Sequence, residues 1–118
     1  MTKNQGLMRL IYACQYSWQG LRSALINEAA FRQELILFLC LATVSFFLDV
    51  SAIERLIMLA SILFILIVEL INSAIECVVD RVSTERHVLS GRAKDYGSLA
   101  VLISVLIATA TWLVILID

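Results

Sequence analysis

Glu69, Asn72, Glu76 and Asp80 are spaced 3, 4 and 4 residues apart within an otherwise apolar stretch. On a helix their directions, measured from Glu69, are about 0°, −60°, −20° and +20°. Four polar side chains therefore line one face, with Ser73 beside them. A charged residue at the centre of a membrane-spanning helix costs on the order of 2.5–3.5 kcal/mol. Such residues are kept where they act on a substrate or ion, or where a cation on a neighbouring helix pairs with them and fixes packing. Carboxylates in this setting can serve as a general base, as ligands for a hard divalent cation, or as an ion or proton site.

Glu28 and Glu34 flank the start of a second apolar segment. Brought beside Glu76, Glu28 could share a divalent cation with it, because Mg²⁺ is held by one or two carboxylates plus substrate phosphates. The alternative for Glu28 is a solvated interfacial glutamate. Farther on, Glu85, Arg86, His87, Ser90, Gly91, Arg92, Lys94 and Asp95 interleave basic and acidic groups. That mixture suits a nucleotide, whose phosphates meet the cations while carboxylates orient metal or sugar. A solvated basic loop at a membrane surface has the same composition. No GxxxxGK[ST] loop and no protein-kinase signature occurs, so neither soluble phosphate-binding scaffold is in play. His87 is the only histidine, and Cys14, Cys40 and Cys77 are far apart with no CxxC pattern, so the cysteines read as packing thiols.

The elements that must position these residues are membrane helices. The 118 residues suffice for one domain, and 61% of them are hydrophobic with a mean hydropathy of +0.92. A soluble domain holds about 45–50% apolar residues, so this chain exceeds what an aqueous fold can hide. The net charge of −1 gives no reason to expect a nucleic-acid partner. Residues 97–117 form 21 consecutive uncharged positions, a helix about 30 Å long and enough to cross a bilayer. Residues 35–48 form an uncharged, mainly apolar run of 14 that reaches spanning length when extended back to Ala29. Residues 56–79 form the third stretch, interrupted by Glu69, Asn72 and Glu76.

The N-terminal segment differs. Leu7, Ile11, Cys14, Trp18, Leu21 and Leu25 recur every three or four residues, and Arg9, Gln15, Gln19 and Asn27 lie off that stripe. This pattern predicts an amphipathic helix lying in the membrane interface, with Tyr12, Tyr16 and Trp18 at a depth that suits them. No removable leader is expected, because Lys3, Arg9, Arg22 and Glu28 break the first 28 residues. The expected arrangement is a surface helix over 1–28, spans over 29–48, 54–80 and 97–117, and a connection over 81–96. Basic residues concentrate at Lys3, Arg9, Arg22 and Arg32 and again at Arg81, Arg86, Arg92 and Lys94, with only Arg55 between the first two spans. The N-terminus and the second connection are therefore expected on the cytoplasmic side, and Asp118 on the other.

The segments NEAAFRQE (27–34), VELINSAIECVVDR (68–81) and SGRAKDYGSLAVLI (90–103), with YSWQGLRSA (16–24), closely resemble the prokaryotic diacylglycerol kinase family along essentially the whole chain. The resemblance implies an all-α integral membrane kinase in the bacterial inner membrane, a homotrimer with one surface helix and three spans per subunit and composite sites at subunit interfaces. It implies transfer of the ATP γ-phosphate to diacylglycerol with Mg²⁺, giving phosphatidic acid. Carried over by position, Glu69 would be the general base and Glu28 and Glu76 the metal ligands. The nucleotide would meet Arg9, Tyr16, Glu28, Glu76, Glu85, Arg86, His87, Lys94 and Asp95. The lipid would be bordered by Arg9, Ala13, Ser17, Trp18, Arg22, Ala30, Phe31, Arg32, Glu34, Arg55, Glu69, Ser98 and Trp112, with Asn72 and Asp80 in support. The chain departs from the family pattern at Leu25, Phe47 and Arg86, which are lipid-facing or peripheral positions. A polyprenol kinase of the same fold is the sibling reading. A small transporter using Glu69 as its ion or proton site is the reading from a different class.

Overall fold

The computed structural model describes residues 4–82 and 84–118. Residues 1–3 of the expected surface helix, Lys3 among them, and Ser83 of the second connection lie outside the described residues. The chain forms four helices: α1 (Asn4–Asn27), α2 (Ala29–Ser45), α3 (Ala52–Val82) and α4 (Val88–Ile117). The described residues include no strand, so the class is all-α.

A single residue separates α1 from α2. Glu28 has φ −112° and ψ 100°, an extended backbone between two helices. Carbonyls in the last turn of a helix lose their in-helix donors. Here the Arg32 guanidinium supplies them, donating through Nη1 to the carbonyls of Leu25 and Ile26, at 3.0 Å each. A cation at a helix C-terminus also complements the dipole. Ala24, Phe31 and Leu66 bury together beneath this elbow, with Leu35 and Phe38 against them, tying α1 and α2 to α3. The rest of α1 stands clear, and its apolar stripe, including Leu7, Ile11 and Trp18, is exposed.

α2 ends at Ser45 rather than running on to 48, as the residue pattern suggested. Phe46, Phe47 and Leu48 donate to carbonyls three residues back, which tightens the chain into turns. Arg55 then closes this end: Nε donates to the Ser45 carbonyl at 2.9 Å and Nη2 to the Leu48 carbonyl at 3.2 Å. α3 starts at Ala52, two residues earlier than expected, because Ser51 and Glu54 form a reciprocal capping box. The Ser51 hydroxyl accepts from the Glu54 N–H at 3.1 Å, and the Glu54 carboxylate accepts from the Ser51 N–H at 2.9 Å.

α3 and α4 pack as an antiparallel pair. The buried face of α3 steps through Met58, Ser61, Ile62, Ile65, Leu66, Glu69, Asn72 and Ser73, and that of α4 through Gly97, Ser104 and Ala108. Small residues let backbones approach closely where lipid removes the hydrophobic drive between helices. The register is fixed at both ends of the seam. Gly97 abuts Asn72, and the Trp112 indole N–H donates to the Met58 carbonyl at 3.0 Å.

The expected connection over 81–96 is largely helical. Arg81 and Val82 close α3, and residues 88–96 are the first turns of α4. His87 is the N-cap of α4, its Nδ1 accepting from the Leu89 N–H at 3.1 Å. Charges at Arg92, Lys94 and Asp95 made this stretch look like a loop. They mark instead a helix that continues past its apolar part.

α3 and α4 are each long and apolar enough to cross a membrane. α2, at 17 residues, is about 25 Å long, short of the ~30 Å hydrocarbon thickness.

Candidate active site

The polar stripe of α3 lies at the end of the α3–α4 seam nearest the second connection. Glu69, Asn72 and Ser73 are buried, Glu76 is half-buried and Asp80 is exposed. One face of one helix thus grades from enclosed to solvated over about 16 Å. The Asn72 amide Nδ2 donates to Glu76 Oε1 at 3.1 Å, which engages one carboxylate oxygen of Glu76. Beyond Glu76, Lys94 Nζ meets Asp80 Oδ1 at 2.7 Å. Lys94 stands in the charged first turns of α4, ahead of the uncharged segment. Its ammonium is held above the usual lysine range by the Asp80 hydrogen bond first, then by the charges of Asp80 and Glu76.

A cavity of about 440 Å³ opens beside this pair, lined by Val79, Asp80, Thr84, Glu85, Arg86, His87, Val88, Ser90, Gly91 and Lys94. Its wall combines cations, carboxylates and hydroxyls, the set that meets phosphate and ribose. Residues 84–87 and the helical first turns of α4 bring these groups to one space. Asp95 follows Lys94 on α4 but does not line the cavity.

Glu28 enters from the elbow. Its negative charge and that of Glu76 both act on Glu69, so carboxylates from two parts of the chain lie within electrostatic reach of Glu69. Glu34 joins them from α2, where Glu69 acts on it and where its Oε2 is buried without a hydrogen-bond partner. Among the described residues no group of three His, Cys, Asp or Glu side chains is arranged to hold a metal ion alone. A carboxylate pair completed by substrate phosphates needs no such group.

Other residues singled out in the sequence are elsewhere. Arg9, Ala13, Tyr16, Ser17, Trp18 and Arg22 are exposed on α1; Arg9 is about 28 Å from Glu28 along the helix. Ala13, Ser17 and Trp18 line a shallow cleft with Cys14 and Leu21. Ala30 is exposed and Phe31 is buried in the elbow cluster. Ser98 is exposed beside Gly97. Arg32 is spent on the elbow carbonyls. Arg55 and Trp112 bind backbone carbonyls at the opposite end of the helix pair, and the structure does not bring them to Glu69. Two features escaped the residue pattern: the Asp80–Lys94 pair, which needs the α3–α4 turn to form, and Gly97, which only the helix crossing reveals.

The family model for prokaryotic diacylglycerol kinase matches residues 15–116. A diacylglycerol kinase of Escherichia coli K12 is 53% identical over 111 residues, covering 94% of this chain and 91% of the relative. That of Haemophilus influenzae is 50% identical over 112 residues, covering 95% of each chain. That of Pseudomonas aeruginosa is 52% identical over 111 residues, covering 94% and 90%. A match of this extent, spanning the elbow, the carboxylate stripe and the cavity, means that the chain belongs to the prokaryotic diacylglycerol kinase family.

Proposed function

We propose that this protein transfers the γ-phosphoryl group of ATP to the hydroxyl of diacylglycerol, giving phosphatidic acid and ADP. The observation that carries the reading is the depth of Glu69. Gly97 opens the 21-residue uncharged segment and abuts Asn72, so the hydrocarbon boundary falls near that level. Counted from the other end, about 20 residues of helix from Ala52 cross the hydrocarbon and reach the same level. Glu69 then sits one turn inside the boundary, and Glu76, Asp80, Lys94 and the polar cavity sit outside it. A lipid hydroxyl held among headgroups reaches the first, and a water-soluble nucleotide reaches the second.

Glu69 takes the proton of the diacylglycerol hydroxyl as its oxygen attacks the γ-phosphorus and the bond to the β–γ bridging oxygen breaks. Lys94 offsets charge on the transferred group, and residues 84–87 seat the nucleotide. Glu28 and Glu76 fit Mg²⁺, being hard oxygen donors on two elements that converge near Glu69. When bound, the ion neutralises phosphate charge.

The wider arrangement belongs to the same reading. α2, continued through the turns to Leu48, serves as a third span. The distant Arg9 and Tyr16 and the exposed apolar faces of α2 to α4 fit a homotrimer in which a second copy completes each site. The distribution of basic residues favours the cytoplasmic face of the inner membrane for that site. The test is turnover by purified protein in detergent with ATP, Mg²⁺ and dioleoylglycerol, followed as labelled phosphatidic acid. Turnover with undecaprenol alone would replace the lipid substrate, and none with either would favour ion transport through Glu69.

A further inference from the structure

Gly97 differs from the other glycines. A Cβ built at Gly6, Gly20 or Gly91 would meet nothing within 4 Å. At Gly97 the three nearest heavy atoms are all of one side chain: Asn72 Oδ1, which such a Cβ would overlap, then Asn72 Cγ at 3.0 Å and Asn72 Cβ at 3.7 Å. No backbone atom and no other residue is among them. The carboxamide of Asn72 therefore occupies the space that any other residue at 97 would fill.

That space sets which way the amide points. Asn72 is 8% exposed, and its Oδ1 is buried with no hydrogen-bond partner. The Gly97 Cα faces that oxygen, and a Cα–H is a weak donor that suits a carbonyl oxygen. With Oδ1 against Gly97, Nδ2 is turned to Glu76 Oε1 at 3.1 Å. The flipped amide would set its oxygen against the Glu76 carboxylate, acceptor against acceptor, and its NH₂ against Cα.

We propose that Gly97 is a positioning residue for the reaction: it holds the Asn72 carboxamide in the one orientation that orients Glu76 for a divalent cation. The inference rests on the proposed metal-dependent phosphoryl transfer and adds a residue on a different helix from the metal carboxylate. A methyl group at 97 displaces the Asn72 amide and releases Glu76 Oε1 without removing a ligand. The effect passes through Asn72 alone, so it vanishes when Asn72 is truncated.

The test is a double-mutant cycle over Gly97→Ala and Asn72→Ala in the full chain in detergent micelles. Mn²⁺ affinity is read by electron paramagnetic resonance without ATP or lipid, and the Mg²⁺ dependence of turnover is read beside it. Gly97→Ala alone should weaken Mn²⁺ about tenfold or more, equivalent to roughly 1.4 kcal/mol, and raise the Mg²⁺ requirement more than it lowers kcat at saturating Mg²⁺. Gly97→Ala added to Asn72→Ala should change neither by more than about twofold, because the truncated side chain leaves room. Equal losses in both backgrounds, or no loss in the first, would overturn the proposal. If Gly97→Ala does not fold, the double variant should regain the wild-type assembly and the Mn²⁺ affinity of Asn72→Ala; a double variant that also fails to fold would show that the glycine serves the helix approach and would overturn it as well. Wild-type protein that neither binds Mn²⁺ nor turns over would count against the kinase reading instead.

Discussion

Lys94 Nζ lies 2.7 Å from Asp80 Oδ1, joining the first turns of α4 to the last turns of α3 at the rim of the polar cavity. The two side chains are 45% and 64% exposed, so solvent screens the pair and it adds little to stability. Its consequence is placement: the ammonium is held over the cavity. Asp80→Asn should therefore leave unfolding free energy nearly unchanged, while raising the KM for ATP several-fold with kcat little altered. Lys94→Gln should lower kcat/KM for ATP by about 10²–10³. Initial rates over a range of ATP concentrations check both. A large stability loss in Asp80→Asn without a change in KM would make the pair a structural clamp.

Glu69 is buried, with the charges of Glu76 and Glu28 acting on it, and on the proposed mechanism it takes the substrate proton. Glu69→Gln keeps the shape and a hydrogen-bonding end but removes the base. Its kcat should fall by about 10²–10⁴, with ATP affinity and assembly size unchanged. Equilibrium binding of a fluorescent ATP analogue and size-exclusion chromatography provide the controls. Retention of more than a tenth of wild-type turnover would assign the base elsewhere.

The helical face from Glu69 to Asp80 is legible in the sequence because the 3, 4, 4 spacing is a property of one helix and needs no tertiary information. The 97–117 span is legible for the same reason. The start of α4 is not, because hydropathy stops at Arg92, Lys94 and Asp95 while the backbone continues, capped by His87. The approach of Glu28 to the stripe is also hidden. It depends on a break at one residue with no glycine or proline to signal it, and on Arg32 taking up the carbonyls of Leu25 and Ile26. Gly97 heads an apolar run, and nothing along the chain distinguishes it from a residue at the start of any span.

The elbow yields a further expectation. Arg32 donates to two carbonyls at the end of α1, and charge-assisted hydrogen bonds of this kind contribute about 1.5–3 kcal/mol each at most. Arg32→Ala should loosen the elbow, speed amide exchange at Glu28, whose N–H donates to the Ala24 carbonyl at 3.0 Å, and raise the Mg²⁺ requirement because Glu28 is no longer held near Glu69. Arg32→Lys should recover part of the loss. Unchanged exchange at the elbow together with a higher KM for diacylglycerol would instead give Arg32 the lipid-bordering role that family resemblance suggests.

Arg55 poses the same choice at the other end of the molecule. By resemblance it borders the lipid substrate. In the structure its guanidinium donates to the Ser45 and Leu48 carbonyls and lies 5.4 Å from the Phe46 ring centroid. It is also about 21 Å along α3 from Glu69, too far to touch a hydroxyl there. Without the guanidinium the Ser45 carbonyl keeps the Leu48 N–H at 3.3 Å, but the Leu48 carbonyl is left to whatever water reaches that turn. Arg55→Met should lower unfolding free energy by about 1–3 kcal/mol, measured by denaturant titration in micelles. The KM values for ATP and diacylglycerol should stay within about twofold of wild type, since any change of 1.4 kcal/mol in binding would appear as tenfold. Arg55→Lys should restore little, because an ammonium cannot reproduce the planar fork that reaches two carbonyls while lying over a ring. A variant as stable as wild type with a raised KM for diacylglycerol would show that Arg55 touches lipid and that the turn holds without it.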